Sequence, residues 1–335
     1  MNVRLLGKTG IRVSKLCFGT MSFGGAADEP TSAAMYRRCR DVGINFFDCA
    51  NVYSSGTAEE ILGRLIRGER DHVVITSKVG FPMGEGVNDK GLSRRNLKLS
   101  VEASLKRLGT DRLDVLFVHT FDPGTPMEET LRVLDDLVRE GKILHTGASN
   151  WAAWQIALSL GMSAREGLSS FACIQPMYNL VKRQAEVEIL PLAASEGLGV
   201  ISYSPLGGGL LTGKYGTAVK PESGRLVDNT MYATRYGKSE YYETAETFGT
   251  FARKLGVSPA TLAVAWVAAY PAIAAPIIGA RNLVQLEDSL AAADFPMTPE
   301  LYAQIAALSP TPAPATDRTE EQQGVAYKGS NENYR

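Results

Sequence analysis

Short apolar runs alternate with segments of helical pattern along most of this chain, and this alternation limits the folds open to it. Eight such runs follow the N-terminal residues, and they occupy residues 16–18, 44–47, 73–76, 115–118, 144–147, 172–175, 199–202 and 276–278. Strands that alternate with helices form a parallel sheet, and eight of them predict a (β/α)8 TIM barrel of the α/β class. An open doubly wound sheet is the alternative, but the first run is not followed by the G-x-G-x-x-G spacing typical of that fold.

The segments between the runs carry helix start and stop signals. Residues 93–108 begin at Ser93, a candidate N-cap, and repeat apolar residues at helical spacing. Residues 126–140 begin with proline and acidic residues and end before Gly141, which is typical of a helix C-terminus. Similar patterns predict helices over residues 32–42, 57–66 and 259–271.

Three parts of the chain fall outside the alternation. Residues 3–6 and 11–13 flank a Gly-Lys-Thr-Gly turn and predict a β-hairpin before the barrel. Residues 210–238 are a polar insertion after the seventh run, predicted to be a long loop over the barrel mouth. Residues 309–335 form a polar, proline-containing tail that is either disordered or folded back over the mouth. The chain is therefore expected to be a single barrel domain over residues 1–335.

Charge, cysteine usage and hydropathy exclude several classes of protein. Lys and Arg number 35 against 36 Asp and Glu, so no basic excess is available for nucleic acid. The N-terminus has no secretory signal, and two prolines interrupt the uncharged residues 262–280, which favours a buried helix over a membrane span. The four cysteines, Cys17, Cys39, Cys49 and Cys173, form no C-x-x-C pair and show no metal-ligand spacing. We therefore expect them to be free thiols in a reducing, cytoplasmic compartment. We expect no metal site. The sequence leaves the oligomeric state open.

Four residues predict acid–base chemistry at one end of the barrel. Asp48, Lys78 and His119 stand at the ends of three apolar runs, and Tyr53 follows Asp48 by five residues. Parallel strands end at the same mouth, where TIM barrels place their active sites. A phenol has a pKa of about 10, which a neighbouring ammonium lowers. Lys78 is expected to act on Tyr53 in this way while Asp48 keeps it charged. With His119 donating a hydrogen bond, the set predicts proton transfer to or from a carbonyl oxygen.

These residues resemble the aldo-keto reductase superfamily, and the resemblance covers nearly the whole chain. The stretches that carry it are GINFFDCANVY at residues 43–53, ITSK at 75–78, FVH at 117–119, GASN at 147–150 and IIGAR at 277–281. The resemblance implies reduction of an aldehyde or ketone to an alcohol by a nicotinamide cofactor. It implies that Tyr53 is the proton donor, assisted by Lys78 and Asp48, and that His119 orients the carbonyl.

The resemblance also implies that the cofactor binds without a Rossmann domain. Ser149, Asn150 and Gln175 are expected at the carboxamide, and Tyr203 is expected to stack on the nicotinamide ring. The full set of expected cofactor residues is Gly19, Thr20, Met21, Ser149, Asn150, Gln175, Tyr203, Ser204, Leu206, Gly208, Lys214, Gly279, Arg281, Gln285 and Asp288. A guanidinium makes charge-assisted hydrogen bonds to phosphate, so Arg281 favours NADP(H) over NAD(H). Ser289 departs from the asparagine that many members have for the adenine contact.

A hydrophobic or planar substrate is expected, because Phe23, Phe81 and Phe121 are predicted to line the pocket. The partner is then a small carbonyl or alcohol, with neither nucleic acid nor a membrane involved. Two alternatives stay open. The same site can act as an NAD(P)+-dependent alcohol, sugar or polyol dehydrogenase, or the chain can be a non-enzymatic binding subunit that senses the cofactor.

Overall fold

Eight parallel strands close into a barrel in the computed structural model of this chain, which describes residues 1–318. Neighbours in the chain are neighbours in the barrel, and the last strand pairs with the first. The predicted TIM barrel is thereby confirmed. Its strands are β3 (Cys17–Gly19), β4 (Phe46–Asp48), β5 (Val74–Val79), β6 (Leu113–Val118), β7 (Ile143–Ser149), β8 (Phe171–Gln175), β9 (Gly199–Ser202) and β10 (Ile273–Ile278).

The predicted N-terminal hairpin is also present. Strands β1 (Val3–Leu5) and β2 (Arg12–Ser14) pair antiparallel in a separate sheet. The Arg4 guanidinium donates to the carbonyl of Ile273 at 2.7 Å, where β10 begins. Leu6 and Val13 join a buried cluster with inward side chains of the barrel strands. The hairpin therefore plugs the end where the strands begin and leaves the opposite end open.

Helices surround the barrel, and a larger apolar cluster lies between them and the strands. The Ser93 hydroxyl accepts from the Asn96 amide, which confirms the predicted N-cap. The helices are α1 (Glu29–Asp41), α2 (Thr57–Leu65), α3 (Arg94–Leu108), α4 (Met127–Arg139), α5 (Ala153–Glu166), α6 (Ile189–Glu196), α7 (Arg225–Asp228), α8 (Thr230–Arg235), α9 (Ser239–Lys254), α10 (Pro259–Ala269), α11 (Leu283–Leu290) and α12 (Pro299–Ala306). Within residues 1–318, no helix has both the length and the apolar character needed to cross a membrane. All four cysteines are buried and unpaired.

The segment after β9 differs from the long loop that was predicted. It contains the short helices α7 and α8, and the Asn229 side chain accepts from the Tyr232 amide at the start of α8. Tyr232 and Tyr236 are buried, so aromatic anchors fold a segment whose average composition is polar. Residues 309–318 of the predicted tail contain no helix or strand, and residues 319–335 lie outside the described part of the chain.

Candidate active site

A cleft of about 610 Å³ opens where the barrel strands end. Every strand contributes to its wall, either through its last residues or through those that follow directly. From β3 to β10 these residues are Gly19, Asp48, Phe81, His119, Ser149, Gln175, Tyr203 and Ile278. The parallel topology therefore brings together residues that are far apart in the chain. One example is the hydrogen bond from the Ser22 hydroxyl to the Ala280 carbonyl, between residues 258 positions apart.

The predicted acid–base group assembles around the Lys78 ammonium. Its Nζ donates to Asp48 Oδ2 at 2.6 Å, to the Cys49 carbonyl at 2.7 Å and to the Tyr53 hydroxyl at 3.1 Å. Lys78 is fully buried, and an ammonium has three donors, so all three are satisfied without water. Tyr53 lies on the cleft wall, whereas Lys78 lies behind it. Lys78 therefore acts on a ligand in the cleft through Tyr53.

Asp48 is itself held in place from two sides. Its Oδ1 accepts from Thr76 Oγ1 at 2.7 Å and from Gln175 Nε2 at 2.9 Å. This leaves Oδ2 for Lys78. A buried ammonium is costly unless it is paired and hydrogen-bonded, and Asp48 supplies the opposite charge. Burial alone lowers the pKa of Lys78, but Asp48 and Tyr53 outweigh it and the pKa is raised. Lys78 is therefore charged at neutral pH.

The Tyr53 hydroxyl holds its proton at neutral pH. Burial raises its pKa, the Lys78 ammonium opposes this effect, and the net result is a pKa of about 12. The expected influence of Lys78 has the predicted direction, but the net lowering of the pKa was wrong because desolvation of the phenolate is the larger effect. The hydroxyl therefore has a proton to give, and the phenolate that would result lies 3.1 Å from the Lys78 ammonium.

His119 is a neutral imidazole. It is 8% exposed, and burial followed by repulsion from Lys78 lowers its pKa to about 2. The Phe81 ring packs against it, with 4.3 Å between ring centroids, and Tyr53 lies edge-on at 6.2 Å. Within residues 1–318, the buried Nδ1 of His119 has no hydrogen-bond partner. A neutral imidazole has one donor and one acceptor nitrogen, so His119 can donate to a carbonyl without carrying charge.

Backbone strain marks the segment that carries Tyr53. Ser54 and Ser55 both have left-handed φ angles, 47° and 53°, and such residues cost roughly 1–3 kcal/mol each. Ser54 Oγ donates to the Phe23 carbonyl at 2.7 Å, which fixes the turn. The following helix α2 buries Glu59, whose two oxygens accept from Ser77 and Arg107. Hydrogen bonds before and after the turn therefore hold it in place.

The residues expected at the nicotinamide form a hydrogen-bonded chain. Asn150 Nδ2 donates to the His119 carbonyl at 2.9 Å, and the Tyr203 hydroxyl donates to Asn150 Oδ1 at 2.7 Å. Ser149 Oγ donates to the Gln175 carbonyl at 3.0 Å. Asn150 is also left-handed, with φ 60°, a conformation that asparagine tolerates better than most side chains. These hydrogen bonds connect the His119 carbonyl to Tyr203 through the Asn150 side chain.

The other end of the cleft suits an anionic, elongated ligand. Lys214, Arg225 and Arg281 line it, and no ion pair within residues 1–318 involves any of them. Burial, then Arg281 and Arg225, lower the pKa of Lys214, so the three cations lie close together. Gly208 has φ 68°, and a Cβ there would lie 2.9 Å from Tyr232. The three cations therefore suit the phosphates of a dinucleotide, and the glycine at position 208 lets the backbone approach them closely.

Most of the predicted cofactor residues line this cleft, but some predicted residues do not. Thr20 is fully buried and its hydroxyl donates to the Asp48 carbonyl, so it supports β4 instead of contacting a ligand. Phe23 is fully buried against Phe18, which corrects its predicted place in the pocket. Phe121 lies edge-on to Trp151, outside the lining of the cleft. Of the three predicted pocket phenylalanines, only Phe81 lines the cleft.

Sequence reasoning missed the cleft residues of the insertion. Arg225, Met231, Tyr232 and Arg235 all line the cleft and come from α7 and α8. The segment was predicted to overlie the mouth, but Lys214 was its only side chain to be singled out. The one available signal is the pair of tyrosines four residues apart, Tyr232 and Tyr236, which is helical spacing within a polar stretch.

Comparison with known proteins agrees with the fold. Asp48, Lys78 and His119 near the strand ends, with Tyr53 in the turn after β4, are an arrangement that suits an oxidoreductase of carbonyl compounds. The model of the aldo/keto reductase family matches residues 15–310, and the chain belongs to this family. The family acts on small molecules and generally uses NAD(P)H. Within residues 1–318, no group of side chains is placed to hold a metal ion.

The relatives carry two kinds of name. A probable voltage-gated potassium channel subunit beta of Arabidopsis thaliana is 39% identical over 88% of this chain and 92% of its own length. A second protein with that name, from Oryza sativa subsp. japonica, is 38% identical over 92% of this chain and 96% of its own. The uncharacterized oxidoreductase YrpG of Bacillus subtilis (strain 168) is 37% identical over 94% of this chain and 98% of its own.

Proposed function

We propose that the protein reduces an aldehyde or ketone to an alcohol with NADPH, and that Tyr53 gives the proton to the carbonyl oxygen. The observation that carries this proposal is the 3.1 Å hydrogen bond between the Tyr53 hydroxyl, on the cleft wall, and the buried ammonium of Lys78. A group that must lose a proton during turnover gains from a fixed positive charge beside it. The family relationship supports the same conclusion.

Each residue of the group has a separate task in this mechanism. The neutral His119 donates a hydrogen bond that orients the substrate carbonyl towards Tyr53. Tyr53 then protonates the oxygen, and Lys78 stabilises the phenolate that remains. Asp48 keeps Lys78 charged and is itself held by Gln175 of β8, on another side of the barrel. Bound nicotinamide supplies the hydride.

Replacement of Tyr53 by phenylalanine tests this assignment. Tyr53→Phe keeps the ring and removes only the proton donor, so kcat for aldehyde reduction should fall roughly 10²- to 10⁴-fold. NADPH binding, followed by quenching of tryptophan fluorescence, should persist. Tyr242→Phe, outside the cleft lining, is the matched control and should keep normal turnover. Near-normal turnover of Tyr53→Phe would refute the role of this hydroxyl.

The preference for NADPH over NADH is a second part of the proposal. Arg281 lines the cleft near Lys214, and no ion pair within residues 1–318 involves it. Its backbone amide donates to Gln285 at 3.2 Å. Arg281→Ala should raise the KM for NADPH more than the KM for NADH, since only NADPH carries the 2′-phosphate. The control is Arg37→Ala on the exposed side of α1, which should leave both values unchanged. Equal increases for the two cofactors in Arg281→Ala would contradict the phosphate role.

The reaction direction is tested on matched aldehyde and alcohol pairs. The proposal expects faster turnover of the aldehyde with NADPH than of the alcohol with NADP+ at neutral pH, because Tyr53 holds its proton there. Faster oxidation of the alcohol would favour the dehydrogenase instead.

A second role is favoured by the relatives named as potassium channel subunits beta. In that role the chain binds a partner protein and its cofactor state affects the complex. A stable complex with a membrane channel, together with no turnover on a broad carbonyl panel, would favour it over the reductase. The intact group around Lys78 supports the reductase, because a purely structural ion pair does not require a tyrosine hydroxyl on the cleft wall.

A further inference from the structure

Glu59, on α2, is a buried carboxylate that two side chains from other elements hold in place. Its side chain is 0% exposed, and it lies in the helix that follows the Tyr53 turn. Oε1 accepts from Ser77 Oγ at 2.5 Å, and Oε2 accepts from Arg107 Nε at 2.7 Å. A buried charge is costly unless it is paired and hydrogen-bonded, so the carboxylate depends on both contacts. Glu59 therefore connects α2 with β5 and with α3.

The Ser77 contact fixes the strand that carries Lys78. Successive side chains of a strand point to opposite faces. In β5, Val74 belongs to the apolar cluster inside the barrel, whereas Ile75 belongs to the cluster between the strands and the helices. By this alternation Lys78 points into the barrel and Ser77 points outwards, to Glu59. Because Ser77 and Lys78 are neighbours in the chain, a shift of one moves the backbone of the other.

The Arg107 side chain lies against the turn that carries Tyr53. Gly56, the last residue of that turn, has φ 98°, and a Cβ there would lie 2.8 Å from Arg107 Cδ and 3.0 Å from its Nε. Ser54 and Ser55 of the same turn are left-handed, a conformation that persists only where the surrounding structure enforces it. The Arg107 side chain supplies part of that constraint, and the carboxylate on α2 holds its guanidinium in place.

Ser77, Glu59 and Arg107 thus connect the Lys78 strand with the Tyr53 turn on the outer side of the barrel. On the inner side, the two residues meet in the 3.1 Å hydrogen bond between the Lys78 ammonium and the Tyr53 hydroxyl. Within residues 1–318, the lining of the cleft includes none of the three outer residues, so they do not reach a bound ligand. Hydrogen bonds weaken steeply when their geometry is distorted, so a turn that shifts relative to β5 loses this contact.

We propose that Arg107 and Glu59 are positioning residues that hold the Tyr53 hydroxyl within hydrogen-bond distance of the Lys78 ammonium. The inference rests on the proposed reductase function, in which that contact stabilises the phenolate left by proton transfer. Neither residue touches the reacting atoms. They act through the backbone of the turn and through the strand residue that precedes Lys78.

Arg107→Ala tests this role, because it removes both the guanidinium and the stem that lies against Gly56. Misplacement of a reacting group by about 1 Å can cost roughly 10²-fold in rate, so kcat for aldehyde reduction with NADPH should fall roughly 10- to 100-fold. The KM for the aldehyde and the Kd for NADPH should stay within threefold of the wild type, because the cleft lining is unchanged. Lys106→Ala, at the exposed neighbouring position of α3, is the matched control and should keep normal kcat.

A measurement in the Tyr53→Phe background separates positioning from a general loss of structure. If Arg107→Ala acts through the Tyr53 hydroxyl, it should lower the residual turnover of Tyr53→Phe less than threefold, because the group that it misplaces is already absent. A partly unfolded enzyme would lose the same factor in both backgrounds. Arg107→Lys keeps a stem along Gly56 and a cation for Glu59, and its kcat should lie between those of Arg107→Ala and the wild type.

Stability is measured separately by thermal unfolding. Arg107→Ala leaves the Glu59 carboxylate buried with one donor, so it should unfold at a lower temperature than the wild type. Arg107→Ala/Glu59→Gln removes that charge and should be more stable than Arg107→Ala, while kcat stays as low because the turn is still unsupported. This double variant also provides the measurement if Arg107→Ala does not fold. Recovery of kcat together with stability would overturn the positioning role of Arg107.

The outcomes distinguish this inference from the function on which it rests. A kcat of Arg107→Ala within threefold of the wild type overturns the inference, and so does an equal fractional loss in the wild-type and Tyr53→Phe backgrounds. Near-normal turnover of Tyr53→Phe itself refutes the reductase mechanism instead. Amide hydrogen exchange over residues 53–56, measured by mass spectrometry, then decides the inference. Faster exchange in Arg107→Ala than in Lys106→Ala supports it, and equal exchange overturns it.

Discussion

Removal of the Asp48 charge should destabilise the protein, and removal of Lys78 as well should restore part of the loss. Asp48→Asn keeps the shape of the side chain but leaves the Lys78 ammonium, 0% exposed, without its counterion. The amide cannot satisfy both sides. If its oxygen faces Lys78, its NH2 group faces the NH2 of Gln175, which now donates to Asp48 at 2.9 Å. Either orientation places two donors together at one of these contacts.

The size of the loss follows from the burial of the pair. Breaking a buried ion pair by removing one partner costs about 3–5 kcal/mol. At roughly 2.1 cal/mol/K per residue, unfolding a chain of 335 residues has an entropy of about 0.7 kcal/mol/K. The unfolding temperature of Asp48→Asn should therefore fall by about 4–7 °C. In Asp48→Asn/Lys78→Met the uncompensated charge is gone and a flexible apolar side chain fills its place, so at least ~2 kcal/mol of the loss should return.

The assay is equilibrium urea unfolding, followed by circular dichroism, with thermal unfolding as a second measure. The matched control is the exposed pair of Arg64 and Glu29, 2.7 Å apart, where Glu29→Gln should change stability little because solvent screens the charges. Both active-site variants should lose turnover. The reasoning is refuted if the double variant is less stable than Asp48→Asn, since the ammonium would then not be the source of the loss.

Two further predictions concern His119 and Glu59. The pKa of His119 is lowered to about 2 in the folded protein, so between pH 6.5 and 2 the unfolded chain binds one proton more. Stability should therefore fall by about 1.4 kcal/mol per pH unit as the pH drops below 6.5, and urea unfolding at pH 7 and 5 should show a smaller fall in His119→Gln. Glu59→Gln removes the buried charge that Arg107 contacts at 2.7 Å, and it should lower the free energy of unfolding by about 1–3 kcal/mol. Glu60→Gln on the exposed face should change the free energy of unfolding little. Equal effects of the two substitutions would argue against the buried contact.

Local patterns predict the barrel because each strand is a separate short apolar run. The run at residues 199–202 has the bounds of β9, and the run at 276–278 covers only the second half of β10 (Ile273–Ile278). The missed half of β10 contains two alanines, which are neither β-branched nor strongly apolar, so no run is visible there. Pairing in the closed barrel, not local propensity, makes these residues a strand.

The two halves of the cleft were predictable to different degrees for a topological reason. Asp48 and Gln175 end strands and His119 directly follows one, and the parallel order of the strands alone brings their side chains to one mouth. No strand determines where Arg225 and Arg235 lie. They belong to an insertion whose position depends on how Tyr232 packs across the mouth towards Met21. In the proposed mechanism the strand ends supply the proton-transfer group, and the insertion adds charges to the cleft wall. A change of chemistry therefore requires mutation of the strand ends, whereas substitutions in α7 and α8 should alter the choice of cofactor or substrate and keep the reaction.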